Sequence, residues 1–281
     1  MSAMREGSVL CLDPHGFHTM RYTEWGDPHN PRVLVCVHGL TRNGRDFDYL
    51  AERLADAYRV VCPDVAGRGR SDWLRDPRDY TYALYNGDMA TLLASLHAQT
   101  VDWLGTSMGG IIGMILAGLP GSPVRKLVMN DVGSVVPKAA LQRIGQYVGR
   151  EPAFDSLEAY EAAMRSFSPF GDLTAEQWRH LAIHVARQDE DGRWRPRYDP
   201  GIGVNFRDAI AVDVDLRSYW NALHAPVLVI RGEESDLLLA VTLEEMRRRP
   251  RTEALVVPRT GHAPMLMDDA QVGAVRHFLL G

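Results

Sequence analysis

Lysine is almost missing from this chain of 281 residues. It occurs only at Lys126 and Lys138, while arginine is abundant, a bias that fits GC-rich codon usage and to which we attach no function. The formal net charge is −5. A mildly acidic net charge argues against nucleic acid or an anionic membrane as the main partner. Cysteine is scarce too. Cys11, Cys36 and Cys62 are odd in number and widely spaced, which fits neither a disulfide framework nor a metal cluster. Cys36 and Cys62 lie in apolar strand patterns and read as buried small hydrophobes. No apolar run approaches the length of a membrane-spanning helix. Residues 1–7 are polar and short, with nothing suited to a secretory signal. The expectation is a cytoplasmic protein acting on a small molecule. Its apolar fraction of 46% is compatible with a monomer or a homodimer.

Cofactor signatures are missing as well. The glycines of Asp64-Val-Ala-Gly67-Arg-Gly69-Arg-Ser71 suggest a phosphate cradle, but no Gly-Lys-Ser/Thr follows, and the third glycine of a dinucleotide site is absent. This segment reads as a tight turn after a strand. His180 and His184 are four apart on a helical pattern, without the Glu of a zinc-protease helix. No metal and no organic cofactor is expected for the reaction.

What is present is a regular alternation of periods. Residues 18–25 alternate like an early strand. Residues 33–37 and 59–63 are short continuous apolar runs, as in strands buried on both faces. Helical spacing covers residues 45–58 and 82–97. An apolar strand from residue 101 runs through Gly105-Thr-Ser107-Met-Gly109 into a helix-like stretch at 111–117, and residues 126–130 form another strand. The alternation then breaks. Residues 134–217 are mainly helical and comparatively rich in aromatics, which could line an acyl pocket but serve equally well as core. It resumes with a strand at 226–231, a helix at 243–249, a strand at 253–257 and a helix at 265–280. This order predicts an α/β fold with a doubly wound, mostly parallel eight-stranded sheet. The core takes residues 1–133 and 218–281, and a helical insertion takes 134–217.

The most informative segment is Gly105-Thr-Ser107-Met-Gly109-Gly110, an apolar strand passing through Gly-x-Ser-x-Gly into a helix. Such a turn holds the serine in a strained conformation and exposes its hydroxyl at the top of the sheet. A serine hydroxyl needs a base to become a nucleophile. His262, in the small-residue loop Gly261-His262-Ala263 before the last helix, is the best candidate. The base needs a carboxylate to fix its tautomer. Asp236, after the strand at 226–231, is favoured, and Asp131, directly after the strand at 126–130, is the alternative. The oxyanion needs two donors. The backbone N–H of Met108 is one, and the N–H of Leu40, in His38-Gly39-Leu40, is the other. Gly39 permits the bend, and His38 reads as an orienting residue for this loop. Arg42 and Arg143 are conceivable partners for a substrate carboxylate, although solvated surface arginines explain them as well.

Taken together, these pieces resemble the α/β-hydrolase superfamily over nearly the whole chain. His38-Gly39 is similar to its oxyanion loop, Asp64-x-x-Gly67-x-Gly69-x-Ser71 to the turn after its next strand, Gly105 to Gly110 to its nucleophile elbow and Gly261-His262 to its histidine loop. Within it the chain looks like the cofactor-free capped bacterial esterases, enol-lactonases and meta-cleavage-product hydrolases. The resemblance implies a helical cap over the active site and a serine hydrolase that cleaves a carboxylic ester or related acyl compound. A carbon–carbon bond hydrolase of a ring-cleavage product is the alternative on the same fold. A ligand-binding protein that barely turns over is the alternative of another class. Dehalogenases and epoxide hydrolases carry an aspartate where Ser107 stands, and a hydroxynitrile lyase shares the triad.

Overall fold

Strand and helix alternate in the computed structural model, which describes residues 4–206 and 212–281. Residues 1–3 of the polar N-terminal stretch and 207–211 of the expected insertion lie outside the described residues. β1 (Arg5–Asp13) and β2 (Gly16–Trp25) form an antiparallel hairpin. β3 (Val33–Val37), α1 (Asp48–Leu54), β4 (Arg59–Pro63), α2 (Tyr82–Ser95), β5 (Val101–Thr106), α3 (Met108–Gly118) and β6 (Val124–Asn130) follow. Next come β7 (Val135–Val136), α4 (Lys138–Gly145), α5 (Leu157–Phe167), α6 (Ala175–Val185), β8 (Ala186–Gln188), β9 (Trp194–Pro196), β10 (Val214–Asp215) and α7 (Arg217–Asn221). The chain closes with β11 (Val227–Gly232), α8 (Ala240–Arg247), β12 (Thr252–Val257) and α9 (Asp269–Leu280).

Eight strands form one sheet in the order β1-β2-β4-β3-β5-β6-β11-β12. The pairs β1/β2 and β2/β4 are antiparallel, and the other neighbours are parallel. The continuous apolar runs have a simple cause. In β3, Val33, Val35 and Val37 pack on one face, with the helices α2, α3 and α8, while Leu34 and Cys36 pack on the other, with α1 and α9. A strand covered on both faces favours apolar side chains at successive positions. Each fully buried aliphatic side chain contributes about 1.5–3 kcal/mol.

Several boundaries differ from expectation. β1 was not anticipated, because its outward residues, such as Leu10 and Leu12, are exposed and blur the alternation. The helix expected over 45–58 opens as a 3-10 turn at Gly44–Phe47, capped by Asn43, and α1 stops at Leu54. The last helix starts at Asp269 instead of Met265, because the Asp268 carboxylate caps it by accepting the N–H of Gln271. The insertion after β6 contains α4, α5 and α6 but also small antiparallel pairs, β8 with β9 and β7 with β10. The second pair joins the two ends of the insertion at its base.

The elbow's glycines are explained by distance. A Cβ on Gly105 would stand 2.1 Å from the carbonyl oxygen of Gly109, and one on Gly109 would stand 2.0 Å from that of Val37. Strand β5 and helix α3 therefore cross too closely for any side chain. Gly105→Ala should lower the unfolding free energy by about 3 kcal/mol, since the obstacle is backbone and cannot swing away. Urea denaturation measures it, and a midpoint equal to the parent's would show that the crossing yields easily.

Candidate active site

Ser107 sits at the carboxyl end of β5 with φ 52° and ψ −114°, a region that side chains other than glycine's rarely occupy. Its N–H donates to Asn130 O at 2.9 Å, which ties the turn to the end of β6. Its carbonyl accepts the N–H groups of Gly110 and Ile111 at 2.9 and 3.1 Å, which start α3. The N–H of Met108, first residue of that helix, has no acceptor one turn back, as at any helix start.

His262 lies in the loop between β12 and α9, and its side chain is 14% exposed. Its Nδ1 is 2.7 Å from Asp131 Oδ2. Asp131 directly follows β6 and is fully buried. Its Oδ1 accepts the N–H of Gly232 at 2.8 Å, and its Oδ2 also accepts the hydroxyl of Ser235 at 2.6 Å. The expectation that Asp236 orients His262 is therefore corrected. Asp236 points outward, with its side chain 47% exposed, and both its oxygens accept from Arg143, at 2.6 and 2.9 Å. Both candidates stand between Ser107 and His262 in the chain, so order could not separate them. What separates them is the loop after β11, which directs the Ser235 hydroxyl inward to Asp131 and leaves the next side chain facing solvent.

The loop after β3 lies beside the serine. A Cβ on Gly39 would sit 3.7 Å from Ser107 Cβ, an ordinary contact, and Gly39 does not have a positive φ. The backbone bend therefore does not require the glycine, contrary to the expectation from sequence. It keeps the space over Ser107 clear. Leu40 follows, and among the described residues no hydrogen bond occupies its N–H. His38 is fully buried, with Nδ1 2.7 Å from Gly39 O and Nε2 accepting the N–H of Val65 at 2.9 Å. Both ring nitrogens are engaged, so His38 fixes the loop and is not available as a base. Burial, with smaller contributions from the Arg68 and Arg42 charges, pushes its pKa down to about 3 against the one bond to Gly39 O that favours its charged form.

Three residues were not singled out in the sequence. Arg68 is fully buried, and its Nε donates to Leu40 O at 2.8 Å while Nη1 donates to Ala66 O at 2.7 Å and Tyr85 Oη at 2.8 Å. It clamps the loop that carries Leu40. Asn130 Nδ2 donates to Thr106 Oγ1 at 3.0 Å and to Pro264 O at 2.8 Å, joining the elbow to the histidine loop. Ser235 supports Asp131. Arg68 lies inside the glycine-rich turn that was read only as structural, Asn130 and Ser235 had no motif of their own, and each makes a contact to a residue distant in the chain. The turn at 64–71 is structural, as read: Asp64 accepts the N–H groups of Gly44 and Arg70, and no phosphate-cradling role is needed to explain it.

The insertion touches two loops at this edge of the sheet. Gly261 N–H donates to Pro169 O at 2.8 Å, and Asn43 Nδ2 donates to His184 O at 2.8 Å. Trp178, Leu181 and Met164 pack with Met265 and Met267, just beyond His262. Arg42, expected as a possible carboxylate partner, is taken by Asp46 through two bonds of 2.8 and 2.6 Å and lies over the Phe170 ring. Arg143 is taken by Asp236.

The Alpha/beta hydrolase family model matches residues 34–275. The chain belongs to the alpha/beta hydrolase family. It is 50% identical to the 3-hydroxybutyrate-oligomer hydrolase of Cupriavidus necator, over 99% of this chain and 98% of that one. An esterase of Mycobacterium tuberculosis is 27% identical over 85% of this chain and 78% of its own. Among solved structures, an alpha/beta hydrolase from Novosphingobium aromaticivorans superposes with a TM-score of 0.90 at 35% identity, over 100% of this chain and 99% of that one. This chain is therefore a hydrolase. Among the described residues, no helix is long and apolar enough to cross a membrane.

The depressed pKa of His38 has a measurable sign. The unfolded chain takes up a proton near pH 6.5, while the folded protein refuses it until about pH 3. Stability tied to His38 is thus complete above pH 6.5 and is lost as the pH falls through that window, by about 2 kcal/mol between pH 7.5 and 5. His38→Gln, whose amide can still donate and accept but does not titrate, should lose less over the same range in denaturant titrations. Parallel losses would assign the acid sensitivity to other groups.

Proposed function

We propose that this hydrolase cleaves carboxylic esters through a Ser107–His262–Asp131 triad, and that oligomers of 3-hydroxybutyrate or a closely similar 3-hydroxy acid are its substrates. The observation that carries the chemistry is the 2.7 Å contact between His262 Nδ1 and the buried Asp131 carboxylate. With Nδ1 held there, Nε2 is the nitrogen free to take a proton. Ser107 Oγ attacks the ester carbonyl and passes its proton to His262 Nε2. The oxyanion that forms is stabilised by the N–H groups of Leu40 and Met108, with the helix start of α3 behind Met108. His262 then gives the proton to the leaving hydroxyl, and an acyl-enzyme remains. Water, deprotonated by the same nitrogen, attacks this acyl group and frees Ser107. Asp131 holds the imidazole in the required tautomer and stabilises its transient charge. No step calls for a metal or cofactor. The substrate reading is supported by the 50% identical relative over nearly its full length. Such a molecule is an ester whose leaving group is itself a 3-hydroxy acid, so each cycle releases a hydroxyl and a carboxylate.

Ser107→Ala should abolish hydrolysis of 3-hydroxybutyrate dimer and trimer and of a p-nitrophenyl acyl ester, and should abolish labelling by a fluorophosphonate probe. Retained turnover would sink the nucleophile. Hydrolysis of simple esters with none of the oligomers would keep the triad and refute the substrate.

The triad acid has its own test. Asp131→Asn should cut kcat by roughly 10³–10⁴-fold, since it leaves a tautomer that cannot serve His262. Asp236→Asn, which removes only an exposed ion pair with Arg143, should change kcat by less than about threefold. The reverse ranking in steady-state kinetics would restore Asp236.

A further inference from the structure

We infer that the hydrolase holds a structural zinc ion at the hairpin edge of the sheet, bound by Cys11, His18 and Asp88. Cys11 on β1 and His18 on β2 are direct partners in the antiparallel register, so their side chains stand next to each other on one face. Asp88 reaches the same point from α2. The sulfur, a ring nitrogen and a carboxylate oxygen lie within 4.8 Å of one another, and all three residues are buried. His18 Nε2 is 3.0 Å from Asp88 Oδ2. His18 Nδ1 makes no hydrogen bond, although Asp13 Oδ2 is 3.3 Å away. Asp13 is two residues beyond Cys11 and therefore on the same face of β1.

One thiolate, one imidazole and one carboxylate are the donors zinc prefers, at the distances a bound ion would gather. A carboxylate on the far nitrogen of a ligating histidine is the usual outer support, and Asp13 stands there. The fourth position is left to water or to the second Asp88 oxygen. Among the described residues, no lysine or arginine pairs with Asp13 or Asp88, whose recorded ion-pair partner is His18. The other grouping of this kind differs on that point. Asp48, His180 and His184 also come together, but Arg45 Nε donates to both Asp48 oxygens at 3.0 and 2.7 Å, so a cation already fills that site.

The spacing Cys11, His18, Asp88 hid this in the sequence, because the ligands come from two strands and a helix. The ion would pin the hairpin to α2, away from Ser107, so it should affect stability and not turnover.

The test is metal content and cobalt spectroscopy on the full chain, grown with added zinc and purified without a chelating tag. Mass spectrometry should find close to one zinc per chain. Exchange for Co²⁺ should give a sulfur-to-cobalt charge-transfer band, kept in a Cys36→Ala/Cys62→Ala protein in which Cys11 is the last thiol. Cys11→Ser should lose the band and the zinc and leave kcat for ester hydrolysis unchanged. Asp13→Asn should weaken zinc binding roughly 10-fold or more. Absence of metal from the parent after zinc or cobalt addition would overturn the proposal, as would a band that survives Cys11→Ser. If Cys11→Ser does not fold, the band in the Cys36→Ala/Cys62→Ala protein decides alone.

Discussion

The buried carboxylate of Asp131 is the contact on which the edge of the sheet is assembled. It stands at the end of β6 with a φ of 55° and receives donors from three places: Gly232 at the end of β11, Ser235 in the following loop and His262 before the last helix. A carboxylate removed from water must be compensated by hydrogen bonds or a charge. Here the compensation comes from segments about a hundred residues or more away in the chain. The same need for donors that makes this burial tolerable fixes the orientation of the imidazole, so stability of the loop cluster and geometry of the proposed triad have one cause.

Ser107 depends on a second constraint, which is steric. Its positive φ costs energy that no local preference of serine returns. The conformation persists because Gly105 and Gly109 let β5, α3 and the end of β3 close to near-contact, and because the Ser107 N–H is held by Asn130. Trp103, fully buried below the turn, donates from Nε1 to Gly109 O at 3.0 Å and blocks any side chain at Gly113. The strand, the turn and the helix are thus one packed unit, and the hydroxyl is placed by the core beneath it.

The loop that carries Leu40 has no secondary structure of its own. It is held by two buried side chains that act on its carbonyls, His38 on Gly39 and Arg68 on Leu40. With its carbonyl committed to His38, the Gly39–Leu40 peptide turns the Leu40 N–H the opposite way, as in any trans peptide. The insertion makes further contacts with these loops. It touches the histidine loop through Pro169 and the 43–46 turn through His184, and its Met164, Trp178 and Leu181 pack with Met265 and Met267.

The order of strands and helices, the break after β6, the elbow and the loops of His38 and His262 were legible in the chain, since each follows from spacing over a few residues. Apolar runs mark strands covered on both faces, and a glycine two positions either side of a serine marks a close crossing. The edge strand β1 escaped because half of its apolar residues face solvent, and the small strand pairs of the insertion because two or three residues carry no period. The choice between Asp131 and Asp236 escaped for a deeper reason. Both follow a strand and both precede His262, so the sequence by itself determined only that a carboxylate would be available at that edge. The tertiary structure decided which one, because it turns Ser235 inward and Asp236 toward Arg143 in solvent, and a side chain committed to water and a guanidinium cannot also orient a buried imidazole.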